Sequence, residues 1–130
     1  GLKLGVAFQI QDDALNLFGD QRKYGKETSD DILEGKRTLV LLHLLGSVGP
    51  DEKDRVVSIM NKGRATKTPA DVSCVLSLIE KHDAVGYARK KAVELMKEAV
   101  EVLGDISWKG DAEAVALLRL FARFAVEREW

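Results

Sequence analysis

Gln9, Asp12, Asp13 and Asn16 are the residues whose types and spacing carry the most chemistry in this chain. Counted from Gln9 they fall at i, i+3, i+4 and i+7, so on a helix their polar ends share one face. Apolar residues at Leu2, Val6, Phe8, Ile10, Leu15, Leu17 and Phe18 predict such a helix over about residues 1–18. Adjacent carboxylates repel, and two of them in a mostly apolar helix call for a cation. All-oxygen donors suit magnesium, which keeps several waters and bridges one or two carboxylates to a phosphate. Phosphate partners follow: Gly25-Lys26 after Gly19-Asp20, then Asp31-Ile32-Leu33-Glu34-Gly35-Lys36-Arg37-Thr38. Lysines beside glycine approach a phosphate as compact charges with rotatable donors. Carboxylates for a metal followed by lysines for a phosphate is the layout expected of a diphosphate–magnesium site.

The stretch from Gly5 to Thr38 resembles the second aspartate-rich region of the trans-isoprenyl diphosphate synthases (polyprenyl synthetases), most of all their geranylgeranyl-type members. The pattern F-Q-x-x-D-D-x-x-D, then G-D, G-K and D-x-x-x-G-K-x-T, is matched almost position by position. The resemblance implies a magnesium-dependent prenyltransferase that joins isopentenyl diphosphate to an allylic diphosphate. Diphosphate leaves the allylic substrate, the double bond of isopentenyl diphosphate attacks the resulting cation, and a proton is lost. It further implies that Asp12 binds magnesium, with Asp13 in support, Asn16 as a neutral oxygen ligand and Asp31 in the outer shell. Lys26 and Lys36 would hold the diphosphate, and Phe8 and Gln9 would border the allylic chain. Charge building on a departing diphosphate is stabilised by metal ions and lysines already in place.

Two departures from the pattern stand out. Asn16 occupies the position of the last aspartate of D-D-x-x-D, a change that also occurs in geranylgeranyl-type members and contributes no charge. Thr28-Ser29-Asp30 replaces a glycine-containing spacing before Asp31 and is expected to stiffen that loop. The family's first aspartate-rich motif is absent from this sequence. Asp30-Asp31-Ile32-Leu33-Glu34 imitates its spelling but lies inside the second motif's own loop. Gly1 also begins within a helical pattern, with no capping residue before it. The expectation is therefore the C-terminal portion of a longer synthase, inactive alone because half the metal site is missing.

The elements that must position these residues read as helices. Only two prolines occur and strand-like alternation is scarce, so the fold class is all-α: a helical bundle, residues 1–130 forming one domain, the C-terminal part of an isoprenoid synthase-type fold. Thr38 to Gly49 is apolar nearly all round, which predicts a buried central helix. Gly49-Pro50 ends it, and Asp51 opens a polar helix to about Asn61 with Val56, Val57, Ile59 and Met60 inward. Lys62 to Lys67 reads as a basic solvated loop. Thr68-Pro69-Ala70-Asp71 signals a helix start: threonine cap, proline first, acid three residues on. That helix carries Val72, Val75, Leu76 and Ile79. From Asp83 to Gly104 runs a helix with Val85, Ala88, Ala92, Leu95, Met96, Ala99, Val102 and Leu103 at close to ideal spacing. A last one, from roughly Asp111 to Glu129, carries Val115, Leu118, Phe121, Ala122 and Ala125.

Other residues favour plain structural roles. His43 is expected as a hydrogen-bonded core residue, His82 at a helix end facing the terminal carbonyls, and Cys74 as a small core residue. Arg64 and Lys67 belong to the solvated loop, and Arg119, Arg123 and Arg128 to an outward face. At 130 residues the chain can bury a core, and its 45% hydrophobic share is ordinary for globular proteins. A net charge of −1 gives no electrostatic case for nucleic acid or an anionic membrane. One cysteine fits a reducing compartment, and no signal peptide or long apolar run appears, which predicts a cytoplasmic location. The expected partners are the two diphosphate substrates and, in the full-length enzyme, a second copy. A non-catalytic partner subunit of a larger synthase is the alternative, disfavoured by the near-complete phosphate site. A terpene cyclase half would need Asn, Ser and Glu spread along the metal helix, a pattern not seen here.

Overall fold

The computed structural model describes residues 1–18, 30–105 and 112–127, and the side chains of all of these but 18, 104, 105 and 125–127. In chain order the elements are α1 (Leu2–Phe18), α2 (Asp30–Glu34), α3 (Leu39–Ser47), α4 (Pro50–Met60), a short 3-10 turn (Arg64–Thr66), α5 (Pro69–Lys81), α6 (Ala84–Asp105) and α7 (Ala112–Glu127). No strand occurs among the described residues, and the all-α reading holds. Gly19, Asp20, Gly25, Lys26, Thr28, Ser29 and Arg128, and the side chain of Ala125, lie outside the described residues.

Helix starts follow local chemistry. Thr38 caps α3, its hydroxyl accepting from the Leu41 N–H at 3.4 Å. Pro50 occupies the first turn of α4, where its missing N–H costs nothing. At α5 the expected capping box is complete: the Asp71 N–H donates to Thr68 Oγ1 at 3.2 Å and the Thr68 N–H to Asp71 Oδ2 at 2.8 Å. Two orphan donors are thereby satisfied reciprocally.

The long helix α6 organises the bundle, touching α1, α3, α5 and α7. Ala84, Ala88, Ala92 and Met96 recur every four residues along it and are buried. The small side chains let neighbours approach closely. Ala7 of α1 packs with Ala92 and Met96 in one apolar cluster. A second and larger cluster gathers Leu17, Ile32, Val40, Leu41, Leu44, Val56, Ile59, Val75 and Ile79 from α1 through α5. Leu17 and Ile32 thus anchor the two helices that carry the carboxylates to the same core.

Several expected faces are open. The central helix α3 is buried on one side only, with Leu42 56% exposed and His43 and Leu45 half-buried, because its described neighbours α1, α5 and α6 leave that side free. Val57 of α4 and Val102 of α6 are likewise exposed. On α7, Ala122 is buried as expected but Leu118 and Phe121 face outward. Lys67 departs in the opposite sense: it is buried, and Arg64 is engaged in ion pairs. His43 stacks on Tyr87 with ring centroids 3.8 Å apart, and its Nε2 lies 3.4 Å from Ser47 Oγ. His82 caps α5 with its Nε2 3.6 Å from Glu52 Oε2, while Cys74 is partly buried against the core.

Candidate functional site

Helix α1 delivers Gln9, Asp12, Asp13 and Asn16 along one side of its second half. The Gln9 amide donates to Asp13 Oδ1 at 3.0 Å, one turn apart. Asp12 is exposed and Asp13 half-buried. Asn16 reaches α2, where its Oδ1 accepts the Asp31 N–H at 3.4 Å. In this arrangement the asparagine oxygen satisfies a donor of the short helix's first turn, which has no intrahelical partner. Phe8 is 41% exposed beside Gln9.

Across from these, Asp31 is almost fully buried, its side chain only 3% exposed. Its Oδ1 accepts from Lys36 Nζ, and the same ammonium lies 3.5 Å from Glu34 Oε2. Among the described residues nothing donates to Asp31 Oδ2. A buried carboxylate oxygen calls for a donor or a cation, because leaving it bare is costly. A cavity of about 10 Å3 lies here, lined by Asp31 and Lys36 with apolar side chains such as Leu17, Ile32 and Leu41.

Gly35 makes the return of Lys36 possible. Its φ of +73° closes α2, with the Gly35 N–H donating to Ile32 C=O at 3.1 Å and the Lys36 N–H to Asp31 C=O at 2.9 Å. A β-carbon at Gly35 would sit 2.8 Å from the Met60 carbonyl oxygen. Backbone conformation and space both demand glycine. The Gly-Lys turn thereby brings the lysine ammonium back onto the carboxylate five residues earlier.

The electrostatics tie the two helices together. Burial pushes the Asp13 carboxyl above its ordinary 3.8, opposed by the Gln9 hydrogen bond. The negative charges of Asp31 and Asp12 push it further up, while Lys36 pulls it down. Lys36 is raised above its ordinary 10.5, chiefly by its hydrogen bond to Asp31. Asp12, Asp13, Asp31 and Lys36 therefore feel one another, and a cation placed among the carboxylates would relieve the repulsion. The donor chemistry fits magnesium: Asp12, Asp13 and Asn16 offer oxygens from α1, and Asp31 Oδ2 has no donor among the described residues. Among the described residues no three acidic, histidine or cysteine side chains already form a closed ligand set. Lys26 lies outside the described residues.

Residues 1–79 match the model of a family described as polyprenyl synthetase. The chain belongs to the polyprenyl synthetase family. A geranylgeranyl diphosphate synthase of Saccharolobus solfataricus is 34% identical over 128 residues, covering 98% of this chain and 37% of that protein. Among solved structures, the geranylgeranyl pyrophosphate synthetase of Pyrococcus horikoshii superposes with a TM-score of 0.82 at 35% identity, again covering 98% of this chain and 37% of that one. The Corynebacterium glutamicum geranylgeranyl pyrophosphate synthase complexed with isoprenyl diphosphate and magnesium gives a TM-score of 0.81 at 29% identity, covering 98% of this chain and 35% of that one. This polyprenyl synthetase chain thus spans a little over a third of the length of the relatives it matches.

Sequence reasoning missed two residues of the site's surroundings. Lys67 Nζ donates to Leu33 C=O at 3.0 Å and to Lys62 C=O at 2.7 Å. Arg64 pairs with Asp30 at 2.8 Å and with Glu34 at 3.5 Å. A basic, glycine-containing loop reads as solvated, and only the tertiary placement of that loop under α2 shows otherwise.

Proposed function

We propose that this chain contributes the second aspartate-rich half of the active site of a magnesium-dependent prenyltransferase, which condenses isopentenyl diphosphate with an allylic diphosphate to a geranylgeranyl-type product. The observation that carries the reading is the meeting of α1 and α2: Asp13 lies within the field of Asp31 and Lys36, and Asn16 bonds directly to Asp31. Carboxylates and an ammonium face each other across two helices, the charge layout that a metal–diphosphate pair needs.

In this reading Asp12 and Asp13 hold the metal, with Asn16 as a neutral oxygen and Asp31 on the outer side. Magnesium, when bound, supplies Lewis-acid stabilisation of the charge that grows on the departing diphosphate. Lys26 and Lys36 hold that diphosphate. For Lys36 this means exchanging its pairing with Asp31 and Glu34 for phosphate oxygens, and its half-exposed side chain leaves it free to turn. Phe8 and Gln9 border the allylic chain. Residues 1–130 act as one domain, the active enzyme is a homodimer, and it works in the cytoplasm. Among the described residues no helix is long and apolar enough to cross a membrane.

The test is prenyl transfer from labelled isopentenyl diphosphate. The complete synthase polypeptide carrying this chain should turn over with magnesium, and residues 1–130 alone should not. Asp12→Ala or Lys36→Ala should each lower turnover by about 100-fold or more, with helical content unchanged. Wild-type turnover in either variant would remove that residue from the site.

A further inference from the structure

The helix that presents Asp31 is five residues long, far too short to hold itself. Its last carbonyls have no intrahelical donors. Lys67, thirty-four residues away, supplies one: its ammonium donates to the Leu33 carbonyl at 3.0 Å and to the Lys62 carbonyl at 2.7 Å. The head group sits 3.5 Å from where a β-carbon of Gly35 would be, directly against the Gly-Lys turn. Lys67 is buried, and the partners of its ammonium are these two main-chain carbonyls. A buried cation spent on two carbonyls is expensive and is tolerated where it fixes a geometry. From the same loop, Arg64 pairs with Asp30 and Glu34, the first and last residues of α2. Those contacts are half-exposed and weak alone, so Lys67 carries most of the hold.

We propose that Lys67, assisted by Arg64, is a positioning residue that clamps α2 and the Gly35-Lys36 turn so that Asp31 and Lys36 face the carboxylates of α1. The clamp rests on the reading of Asp31 and Lys36 as diphosphate-site residues for its purpose, but not for its mechanics. Lys67 touches neither side chain; it acts through the backbone that carries them.

The experiment compares the wild-type chain with Lys67→Met, which keeps the apolar stem, and Lys67→Arg, which restores donors. Amide hydrogen exchange and the affinity for inorganic diphosphate in the presence of magnesium are both measured. Lys67→Met should speed exchange at Ile32 to Lys36 while leaving the α3, α5 and α6 core protected. It should weaken magnesium–diphosphate binding by about ten-fold or more, the scale typical of groups that orient ligands. Lys67→Arg should recover most of both. In a Lys36→Met background, Lys67→Met should cost less affinity than in the wild type, the part that runs through Lys36 being already lost and the part through Asp31 remaining. Unchanged exchange at Ile32 to Lys36 would overturn the clamp, as would equal losses of affinity in both backgrounds. Absent diphosphate binding by the wild type, with exchange still faster in Lys67→Met, would keep the clamp and remove the proposed function. Should Lys67→Met fail to fold, Lys67→Gln, which keeps a neutral donor on a shorter stem, replaces it, and wild-type exchange at Ile32 to Lys36 would then refute the proposal.

Discussion

Helices α1 and α7 both pack on α6, yet they settle their surfaces in opposite ways. Along α1 the buried positions are Ala7, Gln11, Ala14 and Leu17, and the polar residues near them find partners on α2 or within the helix itself. On α7 Ala122 is buried while Leu117, Leu118, Leu120, Phe121 and Phe124 are all exposed, Leu120 to 67%. A polar cluster in α1 is thus internally engaged, while an apolar face in α7 finds no cover among the described residues. An amphipathic pattern identifies each helix but does not say what its apolar face meets. Charge pairing is more local: Asp31 and Lys36 are five residues apart and meet through one glycine turn.

Truncating one side chain on each helix separates a covered face from an open one. Leu17→Ala removes a core side chain and should cost about 2–5 kcal/mol. Leu120→Ala on the exposed face should stay within about 0.5 kcal/mol. Denaturant unfolding measures both, and equal losses would show that α7 is buried in solution. Gly35→Ala comes next. With φ at +73° and Met60 C=O 2.8 Å from the new methyl, it should cost about 1–3 kcal/mol. A wild-type midpoint would mean the turn can relax.

Thr68→Ala should cost about 1 kcal/mol by removing half of the capping box. This element was the most legible in sequence, because threonine, proline and aspartate at fixed offsets act within one turn. The helix carrying Gln9, Asp12, Asp13 and Asn16 was equally readable, as were Val75 and Ile79 in the core. The open sides of α3 and α7 were not, since Leu42 and Phe121 look like core residues until their neighbours are placed. Lys67 was missed for the converse reason: its partners are main-chain carbonyls, one of them thirty-four residues distant, and no side-chain pattern announces them.

The smallest expected effects are those of pH. The Lys62 ammonium, with Thr68, holds Asp71 down to about 2 from 3.8. The folded state therefore gives up this proton more readily than the unfolded one. Its stabilising contribution is complete above pH 3.8 and is lost as pH falls from there towards 2. Asp13 runs the other way. Burial raises it, so the folded state keeps its proton longer, and stability declines as pH rises from 3.8 through its folded value. Urea midpoints across this range should show Asp71→Asn flattening the acid-side loss and Asp13→Asn removing the opposing decline. Parallel profiles for both variants and wild type would contradict these assignments.

If α1 and α2 together form one cation-bridged diphosphate site, calorimetric titration of the chain with inorganic diphosphate will show it. Affinity should rise at least about ten-fold when magnesium is added, with magnesium affinity rising by the same factor in the presence of diphosphate. Asp12→Ala should abolish that coupling. Equal diphosphate binding with and without magnesium, or coupling that survives in Asp12→Ala, would show that these carboxylates and lysines do not work as a single site.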